Sequence, residues 1–387
     1  MSDTNAGAGA LRIALFSGNY NCVRDGANQA LNRLMAFALS SGAIVRVYSP
    51  TVPQPAFPAT GDLVDVPAMP MPFGRSEYRL ARGMPNHVRA DLERFAPNII
   101  HVSAPDILGH RAVSWARDHN IPIVASVHTL FETYAAYYNL GFLEKSLIAI
   151  CRRFYNRCDA LLVPTSDISD RLFAQDITSP RSIWARGVDH ARFSPERRDL
   201  AWRRRLDIAD DELVIGFLGR LVLEKGLDVF AAVCAELRAR GVVHRVLVIG
   251  EGPARDCFTS ECPDATLVGL QVGDELGRAV AAMDILLQPS VTEAFGNVTL
   301  EAMAAGVAVV AANATGARTL VADGVTGRLI EPRDIKGYAD AIEGYANDRA
   351  ALRCAGIAGR AASLAYDWDA INQKVVDVYQ SLVATAR

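Results

Sequence analysis

From Leu11 onward the chain alternates short unbroken apolar runs with stretches whose apolar positions recur every three to four residues. Unbroken runs suit strands buried on both faces and the helical period suits amphipathic helices, so the alternation predicts parallel sheets covered by helices. In the first half it predicts strands at Arg12–Ser17, Ile44–Tyr48, Ile99–Val102, Ile121–Val127, Ala160–Val163 and Ser182–Ala185. Helices fit between them at Asn28–Ser40, Ile107–Asp118, Glu144–Asn156 and Ile168–Phe173. The stretch from Pro50 to Pro72 reads as an ordered loop, because proline neither donates to a ladder nor continues a helix.

Gly187 to Arg197, with Pro195 and many polar residues, is the best linker. A second alternation follows, with strands at Leu213–Leu218, Arg245–Ile249, Thr266–Val268, Ile285–Gln288, Ala308–Val310 and Gly327–Ile330. Its helices fall at Leu227–Arg240, Asp274–Ala282, Val298–Ala305 and Ile335–Tyr345, and after Ala350 the pattern is helical to the end. The two halves repeat an architecture, not a sequence. The expectation is two α/β domains, residues 1–190 and 191–365, followed by a terminal helix over 366–387; a length of 387 residues fits two cores better than one.

Composition narrows the function classes. A hydrophobic fraction of 50% with 21% charged residues is that of a soluble globular chain. The net charge of -3, with no basic stripe interleaved with aromatics, argues against nucleic acid as a partner. Residues 1–195 carry 19 Lys and Arg against 16 Asp and Glu, the remainder 21 against 27, so the first half is the one suited to approach an anionic surface. The seven cysteines form no C-x-x-C pair and no Cys/His cluster with zinc spacing, and read as reduced thiols. Met1 to Ala10 does not read as a secretory signal and no apolar stretch is long enough to span a bilayer, so the expected compartment is cytoplasmic, with peripheral contact on the inner face of the membrane open.

The most informative segment runs Asp284-Ile-Leu-Leu-Gln-Pro-Ser290, then Val-Thr-Glu293-Ala-Phe295-Gly296-Asn297-Val298-Thr-Leu-Glu301. A buried strand ends near Pro289, a loop carries Glu293, and a helix begins near Asn297, whose side chain is placed to cap it. Ligands of open parallel sheets bind where strand ends face helix starts. The amides around Phe295, Gly296, Asn297 and Val298 offer donors and a positive dipole to a diphosphate. A donor laid there meets Glu293 at its sugar hydroxyls and Glu301, about a turn inside the helix, at its ribose diol. A capped surface helix with Glu293 solvated and Glu301 paired with an arginine accounts for the same residues.

Gly219-Arg220 and Lys225-Gly226 repeat the strand-end, helix-start arrangement. Two cations here balance a leaving diphosphate, Arg220 gripping bidentately and Lys225 acting as a point charge; a solvated loop is the plain alternative. Gly250 and Gly252, in Gly250-Glu-Gly252-Pro253, follow a third strand, where a tight turn explains them as well as phosphate contact does. In the first half, Arg24-Asp25-Gly26-Ala27 joins the first strand to its helix without the G-x-G-x-x-G spacing of a dinucleotide site, and Gly26 is a candidate cleft residue. His128 sits at a strand's C-terminal end, a position for ligand contact or for a structural histidine. Asp367-Trp-Asp369 has D-x-D spacing but lies at a helix start, so a cap is expected there and no metal is expected to be required.

With these residues assembled the chain resembles the retaining family-4 glycosyltransferases of the GT-B fold, from about Leu11 to the final helix. The markers are Glu293 and Glu301 within F-G-N-V-T-L-E-A-M-A, the segment G-R-x-x-x-E-K-G, and S-V-H-T followed by Tyr134 to Tyr138. With Arg153-Phe-Tyr-Asn156 and Arg186-Gly-Val-Asp189, the likeness is to the branch holding GDP-mannose-dependent α-mannosyltransferases and sulfoquinovosyl-diacylglycerol synthases. The resemblance implies two Rossmann-like domains facing across a cleft, with the terminal helix crossing back to the first. It implies Arg220 and Lys225 on the diphosphate, Glu293 on the sugar, Glu301 on the ribose, Val268 and Gly269 on the base through main chain, and His128 beside the reacting sugar. It also implies retention without a metal and no cofactor beyond the nucleotide-sugar substrate. Asp25-Gly26-Ala27 departs from the family pattern, where many relatives carry paired glycines.

The leading expectation is transfer of a hexose or uronic acid from a UDP- or GDP-sugar to a membrane lipid. Arg75, Arg79, Arg82, Arg89 and Arg94, set among apolar residues, fit an interfacial helix pair, though a solvated helix face explains them too. The alternatives are a soluble transferase making an exopolysaccharide or small glycoside, a sugar-nucleotide epimerase of the same fold, and a non-catalytic nucleotide-sugar binder.

Overall fold

The computed structural model describes residues 10–71, 77–128 and 144–386. The chain divides into two compact units, one holding the chain up to Arg186 and again from Trp368, the other being Gly187–Asp367, against expected boundaries after residues 190 and 365.

In the first unit, strands β1 (Arg12–Phe16), β2 (Ile44–Ser49), β3 (Asp62–Asp65), β6 (Ile99–Val102), β7 (Ile123–Ser126), β8 (Ala160–Val163) and β9 (Arg181–Ile183) form one sheet in the order β3-β2-β1-β6-β7-β8-β9. All neighbours run parallel. A separate antiparallel pair, β4 (Ala68–Pro70) and β5 (Arg79–Ala81), stands outside it. Residues of β6, β7 and β8 are buried throughout, as sheets covered on both faces require. Helices α1 (Gly26–Ser40), α2 (Asn86–Phe95), α3 (Ile107–Asp118), α4 (Glu144–Tyr155) and α5 (Ser166–Ala174) follow the strand ends. Three of them start on a side-chain cap: Asp25, Asp106 and Thr165 accept from the amides of Asn28, Gly109 and Ile168.

Two expectations are corrected here. Pro50 to Pro72 is not all loop, for Asp62–Asp65 pairs with β2 as the edge strand and Ala68–Pro70 joins β5; prolines flank or end these strands, where a missing N–H costs no ladder bond. Nor is the arginine-rich stretch a helix pair: Arg79–Ala81 is strand and only Asn86–Phe95 is helix, while Arg75 lies outside the described residues.

The second unit carries α6 (Leu200–Arg205), β10 (Val214–Leu218), α7 (Leu227–Ala239), β11 (Arg245–Ile249), α8 (Arg255–Glu261), β12 (Thr266–Gly269), α9 (Gly273–Ala281) and β13 (Ile285–Gln288). It continues through α10 (Asn297–Ala304), β14 (Ala308–Ala312), α11 (Ala317–Leu320), β15 (Gly327–Ile330), α12 (Ile335–Asn347) and α13 (Arg349–Ser363). Its parallel sheet runs β12-β11-β10-β13-β14-β15. The winding reverses between β10 and β13, so these neighbours flank the crevice where doubly wound sheets take ligands. Fully buried Arg203 ties their lower ends: its guanidinium donates to the carbonyls of Ala282 (2.9 Å), Ala209 (2.9 Å) and Glu212 (2.6 Å) and lies 3.4 Å from Asp284. Asp284 also takes Arg198 at 2.7 Å and the Val214 amide at 2.8 Å, which satisfies the buried charges and fixes β10 against β13.

The last helix, α14 (Trp368–Thr385), belongs to the first unit. There Asn372 accepts from the Trp184 indole at 3.3 Å, and Arg33 stacks over the Trp368 ring at 4.9 Å. Trp368 opens this helix and Asp369 sits in its first turn, which places D-x-D spacing on a helix start. Among the described residues no helix is long and apolar enough to cross a membrane.

Candidate active site

The loops after β10 and β13 are laced together above their strands. Ser290 and Thr292 both donate from their hydroxyls to the carbonyl of Glu224, at 3.4 and 3.2 Å. Lys225 Nζ donates to Glu293 Oε1 at 2.5 Å, the side chains being 26% and 18% exposed. A salt bridge this far out of water but still open on one side keeps two rotamer-rich side chains ordered and within reach of a ligand. The sequence placed these two residues on separate segments, 68 positions apart; the structure joins them into one charged pair.

The Glu293 loop runs on into α10. Gly296 precedes it at φ 96°, in the left-handed region, which lets the chain turn from the Glu293 loop into the helix. The expected Asn297 cap is corrected: the helix has no side-chain cap hydrogen bond, and Asn297 lies inside its first turn, from where its side chain does not reach back over the N–H groups. Asn297 Oδ1 and Thr299 Oγ1 are buried without a hydrogen-bond partner. A helix mouth with uncapped amides and an orphaned amide oxygen is prepared for an anion with donors of its own, such as a phosphate flanked by hydroxyls. Phe295 is buried, with its ring edge-on to Tyr366 at 5.9 Å, and Val298 and Glu301 are half-buried in the same helix. Arg220 is exposed at the end of β10, on the same loop as Lys225.

The remaining sequence candidates in this unit have structural work. A Cβ on Gly250 would lie 1.9 Å from the Gly219 carbonyl oxygen, and one on Gly252 2.3 Å from that of Leu221. Close packing of the β11 loop on the β10 loop therefore requires both glycines, and the Gly250 amide is already donated to Gly269 at 2.9 Å. Val268 and Gly269 end the half-buried edge strand β12, and the Val268 carbonyl accepts from Gln271 Nε2 at 2.6 Å. Gln271 was not among the sequence candidates; a lone amide three residues past a strand gives no pattern to find it by.

In the first unit, Gly26 is the first residue of α1, next to the capping Asp25, whose carboxyl burial pushes above its ordinary range. His128 is held at both ring nitrogens. Arg186 donates to Nδ1 at 2.9 Å, so Nε2 carries the proton and donates to Ser126 Oγ at 2.8 Å. The Ser126 hydroxyl in turn lies 3.0 Å from His101 Nε2, and His101 Nδ1 2.5 Å from the Tyr379 hydroxyl of α14. Trp184 stacks under Arg186 at 4.5 Å and meets His128 edge-on. Burial, then the Arg186 and His101 charges, hold His128 well below the usual histidine range, and burial takes His101 down to about 3. Burial likewise brings the Arg186 guanidinium down to about 10. His128 is thus a fixed neutral imidazole with no ring nitrogen left for proton transfer. Thr129 and Tyr134 to Tyr138, named as markers beside it, lie outside the described residues. Among the described residues no cluster of His, Cys, Asp or Glu is placed to hold a metal ion.

Residues 24–192 match the model described as Glycosyltransferase Family 4, and residues 212–348 the one described as Glycosyl transferases group 1. A GDP-mannose-dependent alpha-mannosyltransferase of Mycolicibacterium smegmatis is 30% identical over 378 residues, covering 96% of this chain and 98% of that protein. Sulfoquinovosyl transferase SQD2 of Arabidopsis thaliana is 32% identical over 319 residues, covering 80% of this chain but 61% of its own length. Among solved structures, sucrose-phosphate synthase from Thermosynechococcus elongatus superposes with a TM-score of 0.81 at 20% identity, covering 96% of this chain and 99% of that one.

Proposed function

This chain belongs to the group 1, family 4 glycosyltransferases of GT-B type, and we propose that it moves a hexose or uronic acid from a UDP- or GDP-sugar to a membrane lipid acceptor with retention of configuration. The observation that carries the reading is the Lys225–Glu293 pair joining the loops after β10 and β13 at the reversal of the sheet, with the second loop leading into the uncapped start of α10. In this reading the amides of Phe295 to Val298, with Lys225 and Arg220, take the diphosphate. Their charge offsets what builds on the leaving group as the sugar–phosphate bond breaks. Glu293 accepts from the sugar hydroxyls while Lys225 holds its carboxylate in place. Glu301 accepts from the ribose diol, and the end of β12 at Val268 and Gly269 receives the base, with Gln271 fixing the Val268 carbonyl.

No carboxylate here is assigned as a nucleophile. The acceptor oxygen bonds to the anomeric carbon on the face the diphosphate leaves, and its proton passes to the departing phosphate oxygen. His128, with both nitrogens engaged within the first unit, is assigned no role as an acid or base. The relatives named for sulfoquinovosyl and mannosyl transfer support the sugar-transfer part of this reading; the lipid acceptor and peripheral contact with the membrane face are part of the proposal.

The test is a screen of UDP- and GDP-sugars for turnover with a lipid extract as acceptor, run on the wild type, Glu293→Ala and Lys225→Ala. Each substitution is expected to lower kcat/KM by at least ~100-fold, the scale of one lost transition-state contact. Near-normal rates in both variants, or conversion of the donor to its epimer without acceptor, would sink the assignment.

A further inference from the structure

A second cationic cluster lies in the first unit, whereas the Lys225–Glu293 pair belongs to the second. A cavity of about 250 Å³ is lined by Pro67, Gly83, Met84 and Pro85 together with three arginines, Arg82, Arg89 and Arg111. The arginines come from three different elements: Arg82 from the turn after β5, Arg89 from the first turns of α2, and Arg111 from α3. The turn is seated against α3, since a Cβ at Gly83 would stand 3.9 Å from Ile107 and 4.0 Å from Arg111.

All three side chains are exposed, and among the described residues none of them makes an ion pair or a side-chain hydrogen bond. Three acceptors of the flanking elements are engaged elsewhere: the Pro67 carbonyl takes the Arg82 amide at 3.0 Å, Asp91 is held by Arg46 and Tyr48, and half-buried Asp106 caps α3. The first amides of α2 add to the positive side, because Pro85 precedes the helix and gives no side-chain cap. Three like charges around one cavity repel one another, and an anion relieves that repulsion. Guanidinium forks arriving from three directions match a tetrahedral oxyanion, whereas a planar carboxylate is satisfied by one fork.

We propose that Arg82, Arg89 and Arg111 form a binding site for a phosphoryl group, carried either by a small soluble phosphate ester or by a phospholipid headgroup. The site is separate from the sugar-nucleotide reading, so either can fail without the other.

The full chain is titrated by calorimetry with sn-glycerol 3-phosphate and, in parallel, sedimented with phosphatidylcholine vesicles with and without phosphatidylglycerol. The wild type is compared with Arg82→Gln, Arg89→Gln, Arg111→Gln and their triple combination. The control is a triple variant of equal charge change in the second unit, Lys336→Gln with Arg349→Gln and Arg353→Gln, and circular dichroism with thermal melting checks that all variants are folded. Each pocket substitution is expected to weaken binding roughly tenfold, the scale of one charge-assisted contact, while the control binds as the wild type. Binding of glycerol phosphate lost only in the pocket variants supports a soluble ester; arginine-dependent binding seen only with anionic vesicles supports a headgroup. Equal loss in the control, unchanged binding in the triple pocket variant, or no binding of either probe to the wild type overturns the proposal.

Discussion

Acidification should strip stability from the first unit through His101 by an amount the structure allows to be worked out. His101 is fully buried between Ser126 and Tyr379, and burial holds its ring at about 3 in place of 6.5. The unfolded chain therefore binds a proton that the folded chain refuses throughout the interval from 6.5 down to 3, and stability falls as pH drops through it. Between pH 7 and pH 5 the linkage amounts to about 2 kcal/mol from this one group, at roughly 1.4 kcal/mol per pH unit once below the unfolded value. His128, also pushed down, acts in the same direction. Other groups titrate as well, so the quantity to measure is a difference. Urea unfolding of the wild type and of His101→Gln, followed through Trp184 fluorescence, gives the stability gap between them at each pH. The glutamine does not titrate, so the gap should shift by about 2 kcal/mol against the wild type between pH 7 and pH 5. A gap that stays constant would mean that His101 is as easily protonated folded as unfolded, and the buried chain from Arg186 to Tyr379 would have to be redrawn.

Asp106 runs the other way: burial lifts its carboxyl to about 6, so the folded state loses stability as pH rises from about 4 through 6. Asp106→Asn keeps an oxygen for the Gly109 amide, and should remove that slope and leave the protein at least as stable at pH 7, as read by denaturant titration at several pH values. Gly250→Ala should destabilise the second unit by about 2 kcal/mol or more, because its Cβ would meet the Gly219 carbonyl at 1.9 Å; an unchanged melting temperature would contradict the close packing of these loops.

The buried parallel strands could be read from the sequence because their side chains face helices on both sides and so leave a mostly apolar run; β6, β8, β11 and β13 keep the expected bounds, as does the edge strand β15 despite its exposed Arg328. Strands β3, β4 and β5 left no such mark, being short, half-exposed and bounded or ended by proline, and they exist because of the partners they pair with. Helix α2 lies within the stretch read as a helix pair, and its start at Asn86 was left unmarked because the preceding Pro85 offers no side-chain cap. The placement of Glu293, Glu301, Arg220 and Lys225 at strand-end, helix-start junctions of a doubly wound sheet, where ligands are expected, could be read from the sequence. Their pairing could not, nor could the chain linking His101 to Tyr379, residues 278 positions apart whose contact depends on where the last helix is laid. Arg111 looked like any charged residue on a helix's outer face until the turn at Gly83 closed against it.

The assignment of α14 to the first unit has a bearing on how the protein is made. Residues 187–367 leave the ribosome before Trp368 does, so the second sheet has all six of its strands while the first still lacks its closing piece. Until Asn372 and Tyr379 emerge, the Trp184 indole and the His101 imidazole have no partners from that helix, and an apolar groove stands open during synthesis. The amino-terminal half, first to be translated, is the last to be finished, and a chaperone that shields that groove would act on a newborn chain rather than on the mature molecule.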